Sequence, residues 1–132
     1  MRHHGLVDFE RKLKRVFDDV DDILEDRYGD RYKLHPSRPV RGRTSNKSQD
    51  GLFNVGASFT AGYGSEFGRG YVVQVDMVTL DRVPANVRER IEREVAELVR
   101  ERLPEYFPGR DLEVVRDRNV YKVHGDLRLG RL

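Results

Sequence analysis

The spacing of the apolar residues changes along the chain, and the order of these changes constrains the fold more than any other feature. Residues 6–28 carry apolar side chains at three- and four-residue steps, which predicts an amphipathic helix. Asp8 is the predicted N-cap of this helix, and Gly29 is its predicted C-terminal stop. Residues 84–103 repeat the helical spacing, and Pro104 is predicted to end the second helix.

Four other segments alternate apolar and polar residues, as strands with one buried face do. Residues 51–61 and 70–80 form the first predicted pair of strands, and residues 112–117 and 120–124 form the second. The order is helix–strand–strand–helix–strand–strand, which is typical of an α+β fold. We expect the two helices to pack on one face of a roughly four-stranded, mainly antiparallel sheet.

The size and composition of the chain indicate one small domain, 1–132, whose tail 125–132 either extends the last strand or frays. The absence of cysteine excludes disulfide frameworks, cysteine-based zinc sites and thiol catalysis. No segment approaches the roughly 20 apolar residues that a membrane helix needs, and no apolar signal region follows the N-terminus. We therefore expect a cytoplasmic protein without a membrane partner.

A basic loop is the most unusual feature of the charge pattern. Residues 31–49 hold six Lys or Arg residues and no Asp or Glu, although the whole chain has a net charge of only +2. Two prolines and a run of Ser, Thr and Asn make residues 30–50 a long loop, which is either flexible or functional. Arg forks and hydroxyl groups commonly contact phosphate oxygens, so four cations of this loop are candidate phosphate contacts. These are Arg38, Arg41, Arg43 and Lys47.

An acidic cluster precedes the basic loop and lies on the polar side of the first predicted helix. Helical spacing places Asp18, Asp21, Asp22 and Glu25 within roughly 100° of one another. These carboxylates are weak candidates for a metal site, because Mg²⁺ and Ca²⁺ prefer oxygen ligands but no EF-hand loop is present. The cluster is also the natural partner of the basic loop, within one chain or between two chains.

The hairpin between the first two strands, GYGSEFGRG, offers a second group of candidate residues. Its glycines do not match the dinucleotide-binding pattern, and the loop joins two strands rather than a strand and a helix. Arg69 would supply a charge to a phosphate-rich ligand and Tyr63 a ring on which a base could stack. The alternative is an ordinary hairpin tip whose glycines permit positive φ angles.

The sequence contains no convincing catalytic constellation and no cofactor fingerprint. Ser58, His124 and Asp76 include the residue types of a triad, but no nucleophile elbow supports that assignment. We therefore expect a non-catalytic protein without a cofactor.

Two functions remain open at the level of the sequence. The first is binding of RNA, DNA or another phosphate-rich partner through the basic loop, with strong dependence on salt concentration. The second is binding of another protein or of a second copy of the chain. That contact would use the acidic helix and the basic loop, or two sheet edges. The orientation of the basic loop distinguishes these hypotheses, because a loop that is paired with the acidic cluster has little charge left for phosphate groups.

Overall fold

The computed structural model describes residues 4–127 and confirms the predicted α+β fold. The element order agrees with the order of the periodic segments. Helices α1 and α2 span His4–Tyr28 and Ala85–Tyr106, and a short 3-10 helix spans Lys47–Gln49. The strands are β1 (Phe53–Thr60), β2 (Gly70–Met77), β3 (Leu112–Asp117) and β4 (Val120–Gly125).

The four strands form one antiparallel sheet in the order β1-β2-β4-β3. Strand β1 pairs with β2 along its whole length, with Val55 opposite Val75. Strands β2 and β4 pair only at Tyr71 and Val72 of β2, so they diverge beyond this point. The two outer edges of the sheet therefore belong to β1 and β3.

The hydrophobic core lies between the two helices and one face of the sheet. Helix α1 contributes a row of fully buried residues at helical spacing, and α2 contributes a second row. Alternate residues of β1, together with residues of the other three strands, complete the core, as the pattern of period two predicts. The central residues are Val16, Val20, Leu24, Phe53, Val95, Val99 and Val123, each with no exposed surface.

Two predicted helix boundaries are wrong, each for an identifiable reason. Helix α1 begins at His4, so Asp8 is not an N-cap but an interior residue that pairs with Lys12 one turn later, at 3.7 Å. Helix α2 continues past Pro104 to Tyr106. A proline in the last turn removes one amide donor, but burial of Phe107 and its N–H bond to the Leu103 carbonyl hold that turn in place.

The glycine-rich hairpin folds back over the sheet face opposite the helices. There it covers Lys122, whose side chain is only 1 % exposed. The Lys122 ammonium group donates to the Gly68 carbonyl at 2.6 Å and to the Ser65 hydroxyl at 3.1 Å. It also pairs with the Asp117 carboxylate at 2.6 Å. Gly62 permits the fold-back, because it has a φ of +74° and a Cβ there would lie 2.0 Å from the Gly68 carbonyl oxygen.

Neither helix within residues 4–127 combines the length and the apolar character that a bilayer crossing requires. Asp126 and Leu127, which follow β4, are held against the domain. The amide of Asp126 donates to the Asp111 carbonyl at 2.8 Å, and Leu127 is buried. The rest of the predicted tail, 128–132, lies outside the described residues.

We expect Lys122→Met to release the hairpin, because Met keeps the apolar stem of the side chain but cannot donate to Ser65 or Gly68. Amide hydrogen exchange should then accelerate across residues 65–68 while the core amides keep their protection. Lys12→Met is the matched control, because Lys12 is about half exposed and, among residues 4–127, pairs only with Asp8. Unchanged exchange in the hairpin would contradict this role of Lys122.

Candidate functional site

Arg38 is the central residue of the basic loop, and its guanidinium group contacts the loop itself. The Nη2 atom donates to the carbonyl oxygens of Ser48, Asp50 and Phe53 at 2.7, 3.2 and 3.1 Å. The Nε atom donates to the Gly51 carbonyl at 3.0 Å. Four carbonyl groups of a non-periodic segment thus find their donor in one side chain, which leaves little of that guanidinium group for an external phosphate.

Asp50 closes the loop from the opposite end. The residue is 4 % exposed, and its carboxylate accepts hydrogen bonds from the amides of Gly42 and Thr44 at 3.2 and 3.0 Å. The Thr44 hydroxyl donates to the same oxygen at 3.0 Å. Asp50 therefore satisfies the donors of Gly42 and Thr44, whereas Arg38 satisfies carbonyl groups near the start of β1.

Glu25 joins helix α1 to the start of strand β1. Its buried carboxylate accepts the Phe53 amide at 2.8 Å. Burial raises the pKa of Glu25, although hydrogen bonds from the Phe53 and Leu52 amides oppose that change. Gly51 makes the approach possible, because it has a φ of +73° and a Cβ there would lie 2.6 Å from a Glu25 carboxylate oxygen.

Arg41 and Lys47 extend from the loop to the acidic side of helix α1. Arg41 pairs with Asp26 at 2.9 Å and with Asp22 at 3.3 Å, and Lys47 pairs with Asp22. Burial favours a higher pKa for Asp22, but hydrogen bonds from Lys47 and Arg41 outweigh it and lower that pKa. All four side chains are at least 41 % exposed, so each ion pair contributes at most about 1 kcal/mol.

The six predicted phosphate-binding residues do not form one surface. Arg38, Arg41 and Lys47 have partners within the chain, whereas the exposed Arg43 side chain makes no hydrogen bond or ion pair with residues 4–127. Arg69 and Tyr63 lie on the hairpin that follows the last residue of β1, and the basic loop meets β1 at its first residue. Eight strand residues separate the two groups by roughly 25 Å.

The four acidic residues proposed as weak metal ligands have different environments. Asp18 pairs with Lys14, Asp22 with the basic loop, and Glu25 with backbone amides. Asp21 is buried, and one of its carboxylate oxygens has no hydrogen-bond partner. Within residues 4–127 no three His, Cys, Asp or Glu side chains are placed to hold a metal ion.

Asp21 is the most perturbed acid in the described part of the chain. Burial raises its pKa from 3.8 to about 8, and the negative charges of four neighbouring carboxylates add to this effect. Glu25, Asp22 and Asp18 lie on the same helix, and Asp50 approaches from the basic loop. The side chain therefore carries a proton at neutral pH, which limits repulsion within the cluster.

The outer edge of strand β1 is a structural feature that the sequence reasoning did not locate. The Phe53 amide donates to Glu25 and its carbonyl accepts from Arg38, so both groups point away from β2. Groups that point to one side recur at every second residue of an antiparallel strand. The backbone groups of Val55, Ala57 and Phe59 therefore point out of the sheet, and they form no hydrogen bond with another element in residues 4–127.

A groove of about 390 Å³ runs along this edge, between β1 and helix α1. Leu13 and Phe17 of α1 form an apolar wall, and Gly56 and Ala57 leave the strand side of the groove shallow. The remaining lining is mostly polar. It consists of Glu10, Lys14, Asp18, Asn46, Ser48, Asn54 and Gln74, together with parts of Val55 and Tyr71.

The opposite edge of the sheet is protected. The Arg100 guanidinium group of α2 donates to the Val114 carbonyl of β3 at 2.8 Å. Strand β3 also carries Glu113, Arg116 and Asp117, and charged side chains oppose pairing between strand edges. Strand β1, FNVGASFT, has no charged residue and no proline. This contrast is visible in the sequence, but the position of β1 at an edge is not.

We expect Arg38→Lys to lower the free energy of unfolding by roughly 2 kcal/mol, because an ammonium group cannot reach all four carbonyl groups and buried acceptors lose their donor. Urea denaturation measures the change. Arg43→Lys is the control, because the exposed Arg43 side chain makes no hydrogen bond or ion pair with residues 4–127. Equal stability of the two variants would contradict the role given to Arg38.

We expect Asp21→Asn to remove part of the pH dependence of stability. The pKa of Asp21 is about 8 in the folded chain and near 3.8 in the unfolded chain, so the folded state binds the extra proton. Its stabilising contribution is complete below pH 3.8 and is lost as the pH rises to about 8. At pH 9 the variant should exceed the parent chain by a few kcal/mol.

Denaturant titrations between pH 5 and pH 9 measure the difference between Asp21→Asn and the parent chain. Asp30→Asn, at an exposed position after α1, is the control and should keep the parental slope. A constant difference between Asp21→Asn and the parent chain across this range would show that Asp21 does not titrate there.

Comparison with known proteins places the chain in a family without a described activity. The chain is 43 % identical over 118 residues to an uncharacterized protein of Borreliella burgdorferi, which covers 89 % of this chain and 92 % of the relative. No solved structure matches the chain. A family model described as "Uncharacterised protein" matches residues 4–125, so the chain belongs to that uncharacterised family.

Proposed function

We propose that this protein is a non-catalytic protein-interaction domain, which binds an extended segment of a partner protein along the edge of strand β1. The observation that carries the proposal is the pair of outward residues Ala57 and Phe59, whose outward backbone groups have no partner in residues 4–127, whereas Val55 points the same way but is only 3 % exposed. Such an edge offers both donors and acceptors at the spacing that another strand requires.

The surroundings of the edge support strand addition rather than simple solvation. Leu13 and Phe17 give an added strand an apolar wall on the helix side. Gly56, Ala57 and Ser58 have small side chains, which let a second backbone approach closely. In this mode of recognition the main-chain hydrogen bonds supply affinity, and pockets for alternate side chains supply specificity.

Binding of RNA, DNA or another phosphate-rich ligand is the weaker alternative. Arg38 is engaged by backbone carbonyl groups, and Arg41 and Lys47 are engaged by the acidic side of α1. Arg43 and Arg69 remain exposed but lie near opposite ends of β1. Three of the four loop candidates thus have partners within the chain, whereas a nucleic acid would need a continuous basic surface.

We expect displayed peptide libraries to yield extended peptides that bind the full chain, and we expect Ala57→Pro to weaken that binding about tenfold or more. Proline removes the outward N–H of residue 57 and obstructs the approaching strand, and a loss of about 1.4 kcal/mol is tenfold in affinity. The bonds between β1 and β2 use the neighbouring residues, so the fold should persist. Fluorescence anisotropy with labelled peptides measures the affinity, and thermal melting checks the fold.

Arg116→Pro is the matched control, because it places a proline on the protected edge strand β3 at a position that also points outward. Peptides that bind both proline variants as tightly as the parent chain would contradict the proposal, and so would a library that yields no extended binder. The second part of the experiment measures the binding of short RNA and DNA to the same chain. Salt-sensitive binding that disappears on changing Arg41, Arg43 and Lys47 to Ala would instead favour the phosphate-rich partner.

A further inference from the structure

We infer that residues 36–50 form a cover over the first half of the β1 edge, and that loss of the Asp21 proton opens this cover. The inference concerns the regulation of the proposed binding site and rests on the proposed function. A partner strand would reach Ala57 and Phe59 in the closed form, and the whole edge from Phe53 onward in the open form.

The cover and helix α1 together occupy the first outward residue of the edge, Phe53. The Glu25 carboxylate accepts the outward N–H of Phe53 at 2.8 Å. Arg38, which belongs to the cover, donates to the outward carbonyl at 3.1 Å. A partner strand can therefore pair with Phe53 only after these two contacts break.

The next outward residue, Val55, is shielded by the part of the cover around the 3-10 helix. Val55 is only 3 % exposed, and Asn46 and Ser48 lie beside it in the groove. The Asn46 side chain accepts a hydrogen bond from Lys14 of α1 at 3.1 Å, which joins the cover to the helix wall of the groove. The outward groups of Val55 form no hydrogen bond with another element in residues 4–127, so the open cover would leave them available to a partner strand.

Three carboxyl groups are buried where the cover meets α1. Asp21, Glu25 and Asp50 are 3, 8 and 4 % exposed. Glu25 and Asp50 accept hydrogen bonds from backbone amides, whereas one carboxyl oxygen of Asp21 has no hydrogen-bond partner in residues 4–127. A buried carboxylate without donors is unfavourable, so Asp21 is the member of this group that holds a proton.

The charges that act on Asp21 come from both sides of this contact. Burial raises the pKa of Asp21 to about 8, and four negative neighbours add to the effect. Three of these neighbours lie on α1 and one belongs to the cover; they are Glu25, Asp22, Asp18 and Asp50. Ionised Asp21 would therefore repel the carboxylate that the cover contributes.

The other elements packed against α1 bring their charges to different residues. Lys47 of the 3-10 helix pairs with Asp22, and strand β1 has no charged residue. Within residues 4–127, helix α2 forms hydrogen bonds and ion pairs with α1 at Asp19, Arg27 and Tyr28.

Ionisation of Asp21 favours the open cover for a reason of proton linkage. The pKa of Asp21 is about 8 in the closed form and near 3.8 when the side chain is in water, so the closed form binds the extra proton. The equilibrium constant for opening should rise about tenfold for each pH unit between these two values and level off above pH 8. The cover moves rather than the helix, because Val16, Val20 and Leu24 hold α1 in the core.

Amide hydrogen exchange of the full chain between pH 6 and pH 8, expressed relative to the intrinsic exchange rate at each pH, measures the opening. The informative amides are those of Gly42, Thr44 and Phe53, which bond to the buried carboxylates in the closed form. Their protection should fall about tenfold per pH unit. The amides of Val95 and Val99 in α2 report unfolding of the whole domain and should stay much more strongly protected at every pH.

Asp21→Asn removes the titrating group and keeps the shape of the protonated side chain. The amides of the cover should then keep the same protection from pH 6 to pH 8. Asp30→Asn is the matched control and should retain the parental slope, because Asp30 is exposed.

Binding of the library-derived peptides to the full chain tests the consequence for the site. For peptides that extend to Phe53, the affinity should rise from pH 6 to pH 8 by up to about tenfold per pH unit, because binding requires the open fraction. The affinity of Asp21→Asn for the same peptides should not change over this range.

Three results of the exchange experiment would overturn the inference. They are protection that is independent of pH in the parent chain, a slope that persists in Asp21→Asn, and cover amides as strongly protected as those of Val95 and Val99. Peptides that bind the edge equally well at every pH, while the cover amides lose protection, would also overturn it but would leave the proposed function intact. If protection falls as expected and no peptide binds, the cover stands and the proposed function fails.

Discussion

The contact between Arg38 and four backbone carbonyl groups is the interaction on which the rest of the site depends. A loop with no regular hydrogen bonding must satisfy its backbone groups in some other way, and here one guanidinium group serves the carbonyl side. Asp50 serves the amide side, and Glu25 anchors the loop to helix α1. Because Arg38 and Glu25 both bind Phe53, the same contacts determine where the free edge of β1 begins.

This arrangement gives a structural role to the excess of positive charge in the basic loop. Two cations of residues 31–49, Arg41 and Lys47, pair with carboxylates on the acidic side of α1 within one molecule. The individual surface pairs contribute little, so the loop depends mainly on Arg38 and Asp50 for its shape. Asp21 accommodates the crowding of carboxylates by remaining protonated.

Periodicity was sufficient to predict the fold class and the element order, because burial on one face leaves its mark at every third or fourth residue of a helix and every second residue of a strand. The end of α2 could not be predicted, since it depends on the burial of Phe107. The burial of Lys122 could not be predicted either, because it results from the hairpin that folds over the side chain. The sequence also could not show that β1 is an edge strand. Alternation of apolar and polar residues identifies the buried face of a strand, but it identifies neither the neighbouring strands nor the direction of the backbone groups.

The central claim is that the edge of β1 is open in the single chain, and residue-resolved amide hydrogen exchange tests it most directly. At a dilution where the chain is monomeric, the exchange rates of the backbone amides should alternate from residue to residue along strand β1. The outward amides of Ala57 and Phe59 should exchange much faster than those of Gly56 and Ser58, which bond to β2. Protection of Ala57 equal to that of Gly56 in the monomer would contradict the account, because the edge would then already have a partner within the chain.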